Sequence, residues 1–393
     1  MRTLAQVCFL IGSLAGVISP GFAQAPPVSC IVNAAVPPTV RSEGLTERAG
    51  DFIVQCVGVS QSPVTGTVQV FFNTNFTSRL TSGATSEALL LVDEPAPGTQ
   101  TAGVNLFQGT VSGPNALTFS NVPLFPAAAE TASRILRLTN LRLDASALSG
   151  SPAQLIASVS INSSPSLPLN NPVQTVAFTG PALTFSPAGS GQCLVATGTL
   201  NFSESYPLQF KVVGTGFSLP GLVVNDESGF VPDPAIAGVG LADTGTRLSA
   251  TFSGLPAGAS ISVPATASNG SLVLAAISPA GGGSVQATNG KATVVYEVTA
   301  TSYLASESVS IPFTASGITG NLVVEGSFAP VSTIAAASDS APIPRFADRG
   351  TRATVAVAAC AAPTPAPATN AYGLALLLLI LVLIAALRLR AAR

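Results

Sequence analysis

Between its two ends the chain consists of short segments in which apolar and polar residues alternate, and this period of two is the feature that most restricts its fold. In the run 292–299, Val294, Tyr296 and Val298 share one face, and Asn289-Gly290 just before it is a strong hairpin signal. Similar alternation occurs at 66–72, 208–212 and 247–252. Helical periodicity is nearly absent there, and the segment Ser86 to Leu91 is interpreted as one helical turn at most.

These short strands, separated by turn residues, predict an all-β protein built from antiparallel sheets. The 36 glycines and 31 prolines favour turns and disfavour helices. A loop near 179–190 divides the strands into an N-terminal β domain, residues 24–180, and a second β-sandwich domain, residues 181–360. We expect two β-sandwiches of immunoglobulin-like or jelly-roll-like type, and a split of the second domain into two smaller sandwiches is an open alternative.

Residues 1–23 have the features of a secretory signal helix. Arg2 provides the positive start, an apolar run follows, and small residues precede a cleavage site between Ala23 and Gln24. The alternative is a retained N-terminal anchor. Removal at this site would place the mature chain outside the cytoplasm.

The C-terminal end predicts a membrane segment. Residues 361–370 are a Pro/Ala-rich linker, 371–388 are expected to form a transmembrane helix, and 389–393 to form a basic cytoplasmic tail. The apolar stretch is near the lower limit of the roughly 17–25 residues that span a bilayer. Tyr372 suits one membrane interface, and Arg388, Arg390 and Arg393 suit the cytoplasmic side.

This order of linker, apolar helix and arginines resembles the C-terminal sorting signals of Gram-negative surface proteins, the exosortase-type (PEP-CTERM and IPTL-CTERM-like) tails. The resemblance covers residues 363–393. The short motif that normally precedes the helix is absent, and PAPATNAYG stands in its place. The resemblance implies a sorting protease as a partner, and simple anchoring is the alternative.

Four cysteines remain after the signal: Cys30, Cys56, Cys193 and Cys360. In an oxidising compartment they allow three pairings. We favour the local one, Cys30–Cys56 and Cys193–Cys360, because it closes one loop in each half of the chain. A zinc site is disfavoured, since the spacing is unlike that of metal sites and the chain has no histidine.

Three stretches of the chain, 36–56, 134–148 and 168–178, resemble a group of uncharacterised secreted bacterial β-rich proteins. The resemblance covers most of the N-terminal domain and parts of the second. It implies the domain and the extracytoplasmic address, and it provides no catalytic residues.

The chain offers few groups for catalysis. Without histidine it cannot form a Ser-His-Asp or Cys-His site, and its only lysines are Lys211 and Lys291. Asp243-Thr244-Gly245 is similar to the motif of aspartic proteases, but no second copy is present to supply the partner carboxylate. We interpret it as a turn.

Clustered carboxylates occur at Asp93-Glu94 and at Asp226, Glu227 and Asp233. The second cluster is a weak candidate for a calcium site, although a solvated loop is the favoured interpretation. A hydrolase that uses two distant carboxylates is a further alternative. The absence of tryptophan disfavours a carbohydrate-stacking surface.

The expected function is that of a non-catalytic extracytoplasmic protein, structural or adhesive, held at a Gram-negative-type cell surface by its C-terminal segment. The alternatives are a secreted carboxylate-dependent hydrolase and a calcium- or carbohydrate-binding module. No cofactor is expected. The partners are expected to be the membrane and an extracellular protein or glycan. Nucleic acid is excluded as a partner because the region between the two ends carries a net charge of about −6.

Overall fold

A computed structural model describes residues 27–96, 98–150, 152–214, 226–234, 236–358, 360 and 371–391. The signal segment 1–23 with its cleavage site, the linker 361–370 and Arg393 lie outside the described residues. Strands are the main regular structure of the described part, in agreement with the period of two at 66–72, 247–252 and 292–299, whereas 208–212 lies in a loop.

In the part of the first domain that the structure describes there are fourteen strands. They are β1 (Ser29–Ala34), β2 (Thr39–Arg41), β3 (Glu47–Arg48), β4 (Phe52–Ser60), β5 (Val64–Phe72), β6 (Leu80–Ser82), β7 (Thr85–Val92), β8 (Leu106–Gly113), β9 (Ala116–Phe125), β10 (Ala128–Thr139), β11 (Arg142–Leu143), β12 (Ala153–Ser163), β13 (Leu169–Asn170) and β14 (Val173–Gly180).

Twelve of these strands form one sheet in the order β13-β1-β4-β10-β7-β8-β9-β5-β12-β14-β2, with β6 paired to β7. The remaining two strands, β3 and β11, pair with each other. The long sheet bends round a single apolar core. Its two ends meet where the Gln174 side chain of β14 accepts from Ala34 N–H (3.2 Å) and donates to Val32 O (3.1 Å) of β1.

The prediction of a two-sheet sandwich for this domain is therefore wrong, although its all-β class is confirmed. A sheet of this many strands curls because the twist of successive strands accumulates, and it can then enclose its own core. Alternation along a strand shows which residues face inward, but it does not show which strands become neighbours.

The segment Ser86 to Leu91, interpreted above as a helical turn, is strand β7, and this is a second correction. Residues 86–92 are all buried, on both faces of the strand, and 88–92 are an unbroken apolar run. Leu90 faces the main core of the first domain, whereas Leu89 and Leu91 face a smaller cluster with Phe230 and Val239. A strand covered on both faces loses the alternation by which a strand is recognised.

The described residues of the second domain form eleven strands. They are β15 (Leu183–Gln192), β16 (Leu194–Glu204), β17 (Arg247–Ser253), β18 (Ser260–Val263), β19 (Thr266–Asn269), β20 (Leu272–Ser278), β21 (Gly283–Gln286), β22 (Lys291–Ala300), β23 (Ser308–Ile318), β24 (Leu322–Ala329) and β25 (Thr351–Val355). One sheet has the order β15-β16-β23-β18-β21, and the other has the order β19-β20-β22-β17-β24-β25.

These two sheets enclose one core, so the second domain is a single antiparallel sandwich. The inward residues of β22, Val294, Tyr296 and Val298, lie in this core as their alternation predicts. Asn289 and Gly290 have φ values of 51° and 73°, and the flanking Thr288 and Lys291 exchange backbone hydrogen bonds, so the predicted tight turn is present. The strands on its two sides do not pair, because β21 lies in one sheet and β22 in the other, and the predicted hairpin is therefore wrong. The cores of the two domains divide between Ala177 and Ala182.

A C-terminal helix, α1 (Ala371–Ala391), contains Tyr372, Arg388 and Arg390. Among the residues that the structure describes, no helix combines the length and the apolar character that crossing a bilayer requires. The predicted helix is therefore present, but its predicted membrane-spanning character is not confirmed.

Candidate functional site

Two long loops of the second domain lie against the first domain. The first connects β16 to β17 and is described over 205–214, 226–234 and 236–246, and the second connects β24 to β25 (330–350). We call the second loop the strap. Between these loops and the strands β2, β3, β7 and β11 lies a set of buried and half-buried charged side chains, here called the interdomain charge cluster: Arg41, Glu47, Arg48, Glu87, Arg142, Lys211, Asp226 and Glu227.

Arg41 is at the centre of the cluster, at the end of β2, and only 1% of it is exposed. Its Nε donates to Glu47 Oε1 (2.7 Å), while Nη1 and Nη2 donate to the two oxygens of Glu227 (2.7 and 3.0 Å). The guanidinium also lies over the ring of Phe346 in the strap, 4.8 Å from its centroid. One arginine of the first domain thus contacts both loops of the second, and its bidentate pairing is the strong form of an ion pair.

Thr246 makes further hydrogen bonds with Arg41 and Glu227. Its hydroxyl donates to Glu227 Oε1 (2.7 Å) and accepts from Arg41 Nη1 (3.0 Å). The backbone N–H of Lys211 also donates to this hydroxyl (2.9 Å). Buried charges are tolerated where their hydrogen-bonding capacity is satisfied in this way.

The electrostatic environment keeps Arg41 and Glu227 ionised. Burial alone would raise the pKa of Glu227, but Arg41 and Lys211 lower it by more, to about 2. Burial lowers the pKa of Arg41, and Glu227 and Glu47 raise it by more, well above its ordinary value. The pair therefore stays charged over the whole physiological range of pH.

A second ion pair extends the cluster. Arg142 of β11 donates through Nε to Glu87 Oε1 of β7 (3.0 Å) and through Nη2 to the backbone oxygen of Glu227 (2.7 Å). Glu87 also accepts from the backbone N–H of Arg79 (3.0 Å) and of Gly240 (3.1 Å). Both side chains are at most 1% exposed, so this pair too is sealed from water.

Asn140 fixes the position of the β16–β17 loop. Its side chain accepts from Phe230 N–H and donates to Phe230 O, both at 2.6 Å. Phe230 then packs with Leu89 and Leu91 of β7 and with Val239. This apolar cluster lies next to the charged one, so the loop is held by both kinds of interaction.

The strap is held by Arg345, which is also 1% exposed. Its guanidinium donates to the backbone oxygens of Ile334 (2.8 Å) and Ala336 (2.6 Å) within the strap and to Thr77 O (3.4 Å) of the first domain. Burial, followed by the charge of Arg142, lowers the pKa of Arg345 to about 10. Arg345 therefore joins the strap to the first domain through hydrogen bonds to backbone oxygens.

The three calcium candidates do not converge on a metal site. Glu227 is engaged by Arg41, Asp226 Oδ1 lies 3.9 Å from Arg48 Nη1, and the backbone N–H of Asp233 donates to Gln100 (2.6 Å). Within the described residues no group of three acidic, histidine or cysteine side chains can hold a metal ion. Residues 227–230 are buried in the interdomain interface, whereas Asp233 is exposed.

The other carboxylate candidates also have structural partners. Asp243 of the Asp-Thr-Gly motif accepts from Arg79 (2.9 Å) and from Ile343 N–H of the strap (2.8 Å). Asp93 Oδ2 is 3.1 Å from Arg134 Nε, and Glu94 is exposed beside it. Asp243 therefore joins the strap to the first domain at a turn.

The disulfides are Cys30–Cys56 and Cys193–Cys360, the pairing that the sequence favours. Cys30 and Cys56 are directly opposite each other in β1 and β4. Cys193 is in the turn between β15 and β16, and Cys360 follows the last strand of the second domain.

The sequence analysis missed Arg41, Glu47 and Arg142 as functional residues. A signal was present, since charged residues are only 9% of the chain and yet several of them concentrate in 41–51 and 134–144. What the sequence does not show is that these two segments and residue 227 meet.

Lys211 leads to a pH-dependent prediction. Burial, followed by repulsion from Arg41, lowers its pKa to about 8, whereas an unfolded lysine titrates near 10.4. Between these values the unfolded chain binds more protons than the native state, so the free energy of unfolding rises with pH in this window. We expect a rise of about 2 kcal/mol between pH 8 and 9.5, measured by urea unfolding of the oxidised protein.

The matched control for this prediction is Lys211→Met, which removes the titrating group and keeps the aliphatic stem. In that variant the rise between pH 8 and 9.5 is expected to disappear. A rise of the same size in the variant would show that a different group is responsible.

A surface groove of about 310 Å³ lies beside the strap. It is lined by Phe76, Leu80, Gly83, Ala84, Val111, Gly113, Pro114, Ala336 and Ala337. The lining contains no charged side chain, so the groove offers no group for acid–base chemistry.

Comparison with known proteins assigns the chain to no family. No family model matches the chain, and no curated protein matches it. Among solved structures, BspA_C_mut is 8% identical with a TM-score of 0.29 and covers 84% of this chain and 98% of its own. The serine-rich repeat protein Srr2 from Streptococcus agalactiae is 8% identical with a TM-score of 0.23, covering 87% and 96%.

A third solved structure, red sea bream transglutaminase, is 10% identical with a TM-score of 0.21. The match covers 83% of this chain but only 31% of the transglutaminase. TM-scores this low carry no argument about fold or activity. The chain's own structure shows two β domains that are joined through a buried charge cluster and contain two disulfides.

Proposed function

We propose that the protein is a non-catalytic, extracytoplasmic surface protein whose two β domains act as one rigid structural or adhesive unit. The observation that carries this proposal is the interdomain charge cluster. Its acidic and basic side chains are buried between the domains and form ion pairs with one another. They connect the domains, whereas catalysis would require such groups to face a cleft that a substrate can enter.

The two disulfides support an oxidising, extracytoplasmic location, because such bonds are rare in the cytoplasm of mesophiles. The interface supports a rigid unit for a physical reason. Separating the domains would expose Arg41, Glu227, Glu87 and Arg142 without their partners, which is costly for buried ions. A rigid arrangement keeps the outer face of one domain at a fixed distance from the tail of the other, as a structural or adhesive role requires.

The location is tested on intact cells of the producing bacterium. We expect added protease or antibody to reach the second domain on whole cells, and intact mass to give a mature chain that starts at Gln24. Recovery of the chain only from the cytoplasmic fraction, with free thiols, would contradict the proposal. The same mass measurement shows whether residues beyond the linker 361–370 are retained, which tests attachment through the tail and removal by a sorting protease.

The non-catalytic role is tested with a strain that lacks the gene, compared in surface attachment and cell aggregation. We expect the wild-type chain to restore the lost property. The variant Asp93→Asn/Glu94→Gln is expected to restore it equally, because these exposed carboxylates would have no catalytic task. Failure of this variant, when it is folded and present in normal amount, would favour the carboxylate-dependent hydrolase.

A further inference from the structure

The chain leaves the second domain beside the strand by which it entered. After β25 it runs parallel to the end of β15, where Gly191 N–H donates to Ala356 O (3.2 Å) and Ala358 N–H donates to Gly191 O (3.0 Å). Cys360 is then bonded to Cys193, in the turn that ends β15. The exit of the chain is thereby joined covalently to the far end of its first strand.

Strand β15 is a direct connection to the first domain. It begins at Leu183, three residues after β14 of the first domain ends at Gly180. An extended strand of this length spans about 33 Å, which is close to the full reach of its backbone. Tension along β15 therefore cannot lengthen it appreciably, and pairing with β16 over its whole length keeps it in place.

We propose that the Cys193–Cys360 disulfide makes β15 a covalent load path, which carries tension from the C-terminal tail into the first domain and leaves the rest of the second domain unloaded. This inference rests on the proposed function in one respect, that the tail attaches the protein to the cell. Tension entering at Cys360 passes through the two sulfur atoms to Cys193, along β15 to Leu183, and then into β14. The other ten strands of the sandwich are not part of this path.

Without the disulfide the same tension would act on the weakest part of the second domain. It would reach β25 first, a five-residue strand that pairs only with β24 at the edge of its sheet. Next along the chain is the strap, whose contacts through Arg345 and Asp243 hold the first domain. Loss of β25 would thus release the strap and open the interdomain interface.

The other disulfide cannot serve this purpose. Cys30 and Cys56 join adjacent strands of the first domain and are 26 residues apart, whereas Cys193 and Cys360 are 167 residues apart and enclose nearly the whole second domain. This difference makes the first disulfide a matched control.

The experiment is single-molecule stretching of the mature chain, residues 24–393, held at its two ends. In the oxidised wild type we expect no length gain from residues 193–360. In Cys193→Ser/Cys360→Ser we expect an additional gain of 167 residues, roughly 550 to 600 Å of extended chain. This gain should occur at a lower force than the unfolding of the first domain, and Cys30→Ser/Cys56→Ser should not show it.

Two results would overturn the proposal. One is free thiols at Cys193 and Cys360 in the oxidised wild-type protein. The other is a second domain that, in Cys193→Ser/Cys360→Ser, unfolds only at forces above those that unfold the first domain, because the disulfide would then protect nothing. Both readouts come from purified protein, so they are distinct from a failure of the proposed surface location, which the cell fractionation detects.

Discussion

Replacement of Arg41 by methionine is expected to lower the free energy of unfolding by about 3–5 kcal/mol. The variant keeps the aliphatic volume of the side chain but leaves the carboxylates of Glu47 and Glu227 buried without their cation. A buried charge that has lost its partner is far more costly than a lost surface contact. The measurement is equilibrium unfolding in urea at pH 7, with m-values compared to ensure that the same surface is exposed.

The matched control for Arg41→Met is Arg352→Met. Arg352 makes an ion pair of similar length with Glu325, but its side chain is 72% exposed. We expect this control to lose less than about 1 kcal/mol. Equal losses in the two variants would contradict the assignment of Arg41 to a sealed cluster.

A combined variant separates charge from packing. Replacing Arg41, Glu47 and Glu227 together by methionine removes all three charges, and it is expected to recover much of the loss caused by Arg41→Met alone. If the combined variant is instead less stable than Arg41→Met, the cluster contributes through its hydrogen bonds more than through avoidance of an unpaired charge.

The second large effect is expected from Cys193→Ser/Cys360→Ser at equilibrium, in the absence of force. The bond joins residues 167 apart, and the chain-entropy model assigns about 5 kcal/mol to the closure of such a loop. The Cys30–Cys56 bond joins residues 26 apart and is expected to contribute roughly 3.5 kcal/mol. Urea unfolding of the two double variants beside the wild type measures both losses.

The order of these two losses tests the physical account. A larger loss in Cys30→Ser/Cys56→Ser than in Cys193→Ser/Cys360→Ser would show that loop length does not decide the contribution, and local packing of the buried Cys30 and Cys56 would then be the better explanation. Unfolding of the second domain at lower urea than the first in Cys193→Ser/Cys360→Ser would agree with its role in closing that domain.

Much of the architecture follows from the sequence alone because it depends on local patterns. A period of two determines which face of β22 turns inward, and Asn289-Gly290 determines a tight turn because both residues accept positive φ. The all-β class and the position at which the two cores divide are of this kind. The local pattern did not predict β7 as a strand, because burial of both of its faces removes the alternation of apolar and polar residues.

The pairing of strands and the interdomain charge cluster were decided only by the tertiary structure. Glu227 is 186 residues from Arg41 along the chain, and nothing near either residue indicates that they meet. Their sequence context predicts only solvated charges, because the dielectric environment that makes such a pair strong or costly is created by the packing of two domains. The sequence by itself determined the strands, the turns and the positions of the cysteines. Contacts between residues that are distant in the chain decided which charges became buried and therefore what joins the domains.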